Sequence, residues 1–146
     1  MKDDRKRVAL DGDYAMALGL ATFCFARCEW DAVWCCERLR ANYIKTIEPK
    51  RKTAGVIAND LIHLVAQIAD PQSLAICQGP AIEFQRLVKE RNGLLHGKPG
   101  TAPNGDQRLF RGPSEWAIDI VDNFSDEVTA CQVLLNDMVH KHLITS

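Results

Sequence analysis

Arg91, Asn92 and His96 are the residues of this chain whose types and spacing could do chemistry. They fall in Glu90-Arg91-Asn92-Gly93-Leu94-Leu95-His96-Gly97, which reads as the last turns of a helix. At about 100° per residue, Phe84, Val88 and Leu95 form one apolar stripe, and Arg91 lies inside it. A guanidinium has five donors and keeps its charge. On a core-facing stripe it needs a partner or a polar cavity. One solution is an internal ion pair with Glu29, Asp31 or Glu37. The other is a site for a phosphate, nucleotide or partner protein. Asn92 and His96, four apart, share the neighbouring edge. A histidine in a last turn also suits the helix dipole.

The elements that must position these groups read as four helices. The first spans about 13–42, with a break expected near Gly19. Phe23, Trp30 and Trp34 share one face, Cys24, Cys28, Cys35 and Leu39 another, with Arg27, Asp31 and Arg38 between. A helix with two apolar faces is central in a bundle or buries one face on a second subunit. Thr53 is the expected N-cap of the second helix, whose stripe is Ile57, Leu61, Leu64 and Ile68 and which Asp70-Pro71 stops. Pro80 is expected to open the third, running to His96 with Gly97 and Pro99 ending it. Asn104-Gly105 suits a two-residue hairpin turn. Ser114 is expected to cap a last helix with the stripe Val121, Phe124, Val128, Cys131, Leu135 and Met138. The expected fold is all-α, an antiparallel up-and-down four-helix bundle with a loop or short hairpin between helices 3 and 4, in one domain over residues 1–146.

Bulk properties narrow the function. The chain has 146 residues and a net charge of -1, so no global polycation draws it to nucleic acid. Locally, 81–111 carries six Lys and Arg against three Asp and Glu, a balance of +3. No apolar run has signal-peptide form or reaches the ~18 residues of a membrane span. A cytoplasmic location and no membrane association are expected. The six cysteines are then reduced, and Cys24, Cys28 and Cys35, at helical spacing, read as small buried apolar residues. No phosphate-binding glycine loop, His-Glu-x-x-His stretch or Gly-x-Ser-x-Gly elbow occurs. His63, His140 and His142 lack metal-ligand spacing.

Arg91-Asn92-x-x-x-His96, near the end of the third of four helices, resembles the motif of the HEPN (higher eukaryotes and prokaryotes nucleotide-binding) superfamily. The resemblance implies a metal-independent endoribonuclease with no cofactor, acting as a homodimer with motif helices facing. Such proteins are often toxins of toxin-antitoxin or phage-defence systems, so an RNA substrate and an antitoxin protein are the implied partners. Arg91 would bind the scissile phosphate, His96 would act as general acid/base, and Asn92 would orient them. Products would carry a 2′,3′-cyclic phosphate and a 5′-hydroxyl. Lys89, Lys98 and Arg108 are the neighbouring candidates for RNA contacts. The alternative is a non-catalytic dimeric module of the same kind that binds a nucleotide, RNA or protein.

Overall fold

The computed structural model describes residues 4–144. Four helices, α1 (Gly12–Leu39), α2 (Ala54–Ala66), α3 (Pro71–Leu95) and α4 (Ile118–Asp137), carry most of the chain. Between α3 and α4 lies an antiparallel sheet of β1 (Lys98–Thr101), β2 (Gln107–Arg111) and β3 (Ser114–Glu115), in that order. The four helices and a hairpin between the third and fourth are present as expected, but the hairpin belongs to a three-stranded sheet, so the chain is not purely α. α1 packs chiefly on α4, and α2 on α3. One continuous core joins all four helices.

α1 passes through Gly19 unbroken and stops at Leu39, short of the expected end. Buried Tyr14, Ala17, Ala21 and Phe25 flank the glycine, and their packing outweighs its ~1 kcal/mol propensity cost. At the other end the Glu37 carboxylate accepts the amides of Asn42 (2.6 Å) and Ile44 (3.2 Å), and Asn42 turns left-handed at φ 70°. That local hydrogen bonding offers the chain an alternative to another helical turn.

Thr53 caps α2 as expected, its hydroxyl accepting from the Val56 amide at 3.3 Å. α2 stops at Ala66, before the expected Asp70-Pro71 and without Ile68 of the expected stripe, and Asp70-Pro71 instead opens the next helix. Asp70 accepts from the amide and the hydroxyl of Ser73, and Pro71 takes the first position of α3. Pro80 therefore lies inside α3 rather than at its start. A proline there forfeits a backbone hydrogen bond and costs about 3 kcal/mol in isolation. Buried Cys77, Pro80 and Ala81 offset that by packing into the core, where the Cys131 thiol points at the Pro80 carbonyl.

Ser114 does not cap the last helix. It pairs with Arg111 in the sheet, and α4 begins after Ala117 without a side-chain cap. The backbone beyond Ser114 is held elsewhere: the Trp116 amide donates to the Leu109 carbonyl at 2.8 Å. The Trp116 carbonyl in turn accepts the Tyr14 hydroxyl at 2.6 Å. The hairpin turn spans 102–106 rather than two residues. It closes by Ala102 and Gly105 backbone bonds and by Asn104 accepting from the Asp106 amide, with Gly105 at φ 93°.

Candidate functional site

Three aromatic rings connect the core to the motif. Phe25 of α1 stacks on Phe84 of α3 (centroids 6.0 Å apart) and on Phe124 of α4 (6.5 Å). Along α3, Phe84, Leu87, Val88 and Leu94 are buried, so the stripe continues through Leu94, whereas Leu95, the expected member, is exposed. Arg91 holds its place on that stripe. Its guanidinium carbon lies 4.6 Å from the centre of the Phe25 ring.

A pocket of about 120 Å³ opens beside it, walled by Phe25, Phe124, Leu94 and Leu95, with Arg91 and Glu29 as its charged members. The Arg91 Nε is buried and has no hydrogen-bond partner. Among the described residues the guanidinium also forms no ion pair within 4.0 Å. Of the three carboxylates weighed as partners, Asp31 accepts from Gln132 (2.7 Å) and Glu37 from backbone amides. Glu29 alone shares the pocket. Burial raises its carboxyl above the ordinary glutamate value, and the field of Arg91 only partly opposes this. The pocket thus holds a cation with an unused buried donor facing a carboxyl that resists ionisation.

Asn92 and His96 are exposed, and the His96 amide caps α3 by donating to the Asn92 carbonyl at 3.0 Å. Within one chain, Arg91 faces the pocket while the other two lie on open surface, so the three do not converge. Lys89 and Lys98 are exposed and free of ion pairs among the described residues. Arg108 does not reach the surface with them. It is buried over the Tyr14 ring (4.3 Å) and bonded to Asp11 (2.6 Å) and Asp106 (3.3 Å), fastening the start of α1 to β2.

Gly93 and Gly97 have close neighbours from β2. A Cβ on Gly93 would sit 2.7 Å from the Arg111 Cζ, because that guanidinium crosses α3 to reach Glu90 (3.3 Å). A Cβ on Gly97 would lie 3.0 Å from the Leu109 Cβ. Gly97 ends the helix without the positive φ expected of a C′ glycine, and its lack of a side chain serves the close approach of β2 instead. Phe25 and Arg111 were not singled out by sequence reasoning. Both act through contacts distant in the chain.

The cysteines behave as core residues. Cys28, Cys35, Cys36, Cys77 and Cys131 are buried and Cys24 is half-buried. Burial raises Cys35 and Cys77 and pushes Cys36 up to about 12, which leaves these thiols protonated. Among the described residues no group of three or more His, Cys, Asp or Glu is placed to hold a metal ion. None of their helices is long and apolar enough to cross a membrane. No protein-family model, curated protein or solved structure matches the chain.

Proposed function

We propose that the chain is a metal-independent endoribonuclease of HEPN type, folded as an up-and-down helical bundle and working as a homodimer. The observation that carries this is Arg91, a half-buried cation with a buried, unused donor beside an open pocket, five residues before His96. A phosphate oxygen supplies the acceptor that Nε lacks, and the permanent charge stabilises the negative charge that develops on a phosphate under attack. His96, at an exposed helix end, is free to take the 2′-hydroxyl proton or to protonate the leaving 5′-oxygen. Asn92 orients the phosphate. Because Arg91 and His96 point apart within one chain, a symmetric partner brings the second approach. Lys89 and Lys98 extend the cationic surface for RNA. The toxin of a toxin-antitoxin or phage-defence pair, neutralised by an antitoxin protein, is the role that fits such an activity.

The test is incubation with total RNA in EDTA, beside Arg91→Ala and His96→Ala. Wild type yields 2′,3′-cyclic phosphate ends, and each variant loses about 10²-fold or more. Equal degradation by all three proteins, or none by wild type, overturns the reading.

The apolar walls of the pocket favour a second reading, a non-catalytic module that binds a nucleotide, RNA or protein through Arg91. Under it, Arg91→Ala weakens binding while His96→Ala leaves binding intact, and no RNA is cleaved.

A further inference from the structure

α1 carries an uncovered stripe that the pocket does not use. Met16, Leu20, Phe23 and Trp30 are 73%, 52%, 63% and 52% exposed. With Arg27 and the half-buried Trp34 they fall within about 80° of one another around the helix. Trp30 and Trp34 meet edge to face at 6.4 Å, so the aromatic end of the stripe is already ordered. Half-exposed side chains of this size present on the order of 100 Å² each. The stripe therefore offers roughly 400–500 Å² of apolar surface, about half of what one partner contributes to a standard interface. Scattered surface residues do not make so continuous a patch.

We propose that this stripe pairs with the same stripe of a second copy of the chain, α1 against α1, antiparallel about a two-fold axis near the level of residue 25. The spacing is self-complementary in that register. Met16 lies at the level of the partner's Trp34, Leu20 at that of the partner's Trp30, and Phe23 at that of the partner's Arg27. Each large apolar group meets an aromatic one, and the central cation meets an aromatic ring. The exposed charges at the two ends agree. Asp13 and Arg38 sit on the same flank of α1, and antiparallel helices bring like flanks together, so Asp13 comes beside the partner's Arg38. Neither residue, nor Arg27, has an ion pair of its own among the described residues. Parallel pairing would instead set Arg27 against Arg27 near the centre of the seam and leave Asp13 and Arg38 far from each other.

The surface is separate from the Arg91 pocket. Ala21, Thr22, Phe25, Ala26 and Glu29, the pocket's α1 residues, centre about 150° around the helix from the stripe. Pairing through the stripe leaves both pockets open, and an approach of two α3 ends would be a second two-fold contact that joins such pairs into a tetramer. The stripe pairing stands without the ribonuclease reading.

Light scattering after size exclusion gives the first test. Trp30→Glu and Leu20→Glu halve the mass of the wild-type particle while circular dichroism stays unchanged. Asp13→Arg weakens the particle, and adding Arg38→Asp in the same chain restores it. Cross-linking tests the register without a charged substitution. In a Cys24→Ser background, Leu20→Cys chains and Trp30→Cys chains are mixed and mildly oxidised. Two copies of position 20 stand about 15 Å apart along the helix, too far for a disulfide, whereas position 20 sits level with position 30 of the partner. Disulfide dimers form in the mixture and in neither protein alone. A wild-type mass equal to that of Trp30→Glu overturns the proposal. So does cross-linking of Leu20→Cys alone, or no cross-link in the mixture.

Discussion

The Arg91 guanidinium rests 4.6 Å above the centre of the Phe25 ring, the ring that also stacks on Phe84 and Phe124. The cation of the candidate site is thus seated on the aromatic group that holds α1, α3 and α4 together. Its position is fixed by the core, while its hydrogen-bonding capacity is left for a ligand.

That arrangement predicts a modest stability effect at Arg91. Arg91→Met keeps the stem packed on Phe25 and gives up a cation–π contact of about 0.5–1 kcal/mol. Urea denaturation should therefore show a loss of about 1 kcal/mol or less. A loss of ~3–5 kcal/mol, the signature of a broken buried ion pair, would show that Arg91 belongs to an internal salt bridge.

Glu29 should make stability and anion affinity depend on pH. Burial raises its folded pKa above the ordinary value of 4.5, against the pull of Arg91. The associated stability is fully present below that ordinary value and is lost as pH rises through the raised one. Glu29→Gln removes this loss, so its melting temperature relative to wild type should climb between acid and neutral pH. Phosphate binding at neutral pH, followed by calorimetry, should strengthen in the same variant because a carboxylate no longer competes for Arg91.

Asp11 works in the opposite sense. The Arg108 hydrogen bond, with the Tyr14 amide, lowers its pKa below 3.8. Its contribution is present above 3.8 and is lost as pH falls through the lowered value. Arg108→Ala should flatten that acid limb and lower the melting temperature at neutral pH. It should leave the salt dependence of RNA binding unchanged, whereas Lys89→Ala and Lys98→Ala should each reduce the salt slope by about one charge.

At Gly93 the neighbour is a guanidinium held from outside the helix. Gly93→Ala pushes aside only the flexible, half-exposed end of Arg111 and loosens its surface pair with Glu90, so it should cost about 1 kcal/mol or less. In an Arg111→Ala background the same change should be neutral or gain up to about 1 kcal/mol from helix propensity. A double-mutant cycle by chemical denaturation measures the difference.

Local signals were legible where one periodic stripe met one cap. Thr53 and the α4 stripe from Val121 to Met138 are of that kind. Two prolines nine residues apart could each open a helix, and the choice lay with Asp70, whose carboxylate captures Ser73. Ser114 has the composition of a cap, but β2 and Tyr14 hold the backbone around it, which no local pattern reports. At the site, Arg91's place on the apolar stripe followed from helical spacing alone. That Glu29 rather than Asp31 or Glu37 would share its pocket depended on how α1 rotates against α3, a property of packing. Arg108 read as a surface cation because its partner Asp11 lies 97 residues away.

The closest associate of α1 is α4, and bonds such as Tyr14 to Trp116 and Asp31 to Gln132 span 102 and 101 residues. A ribosome adding about 5–20 residues per second needs roughly 4–16 s to go from the end of α1 to the start of α4. Throughout that interval the nascent α1 lacks the helix that covers most of its core face, with four cysteine thiols and a row of aromatic rings unshielded. The core face of α1 is therefore among the last surfaces of the fold to be covered as the chain emerges.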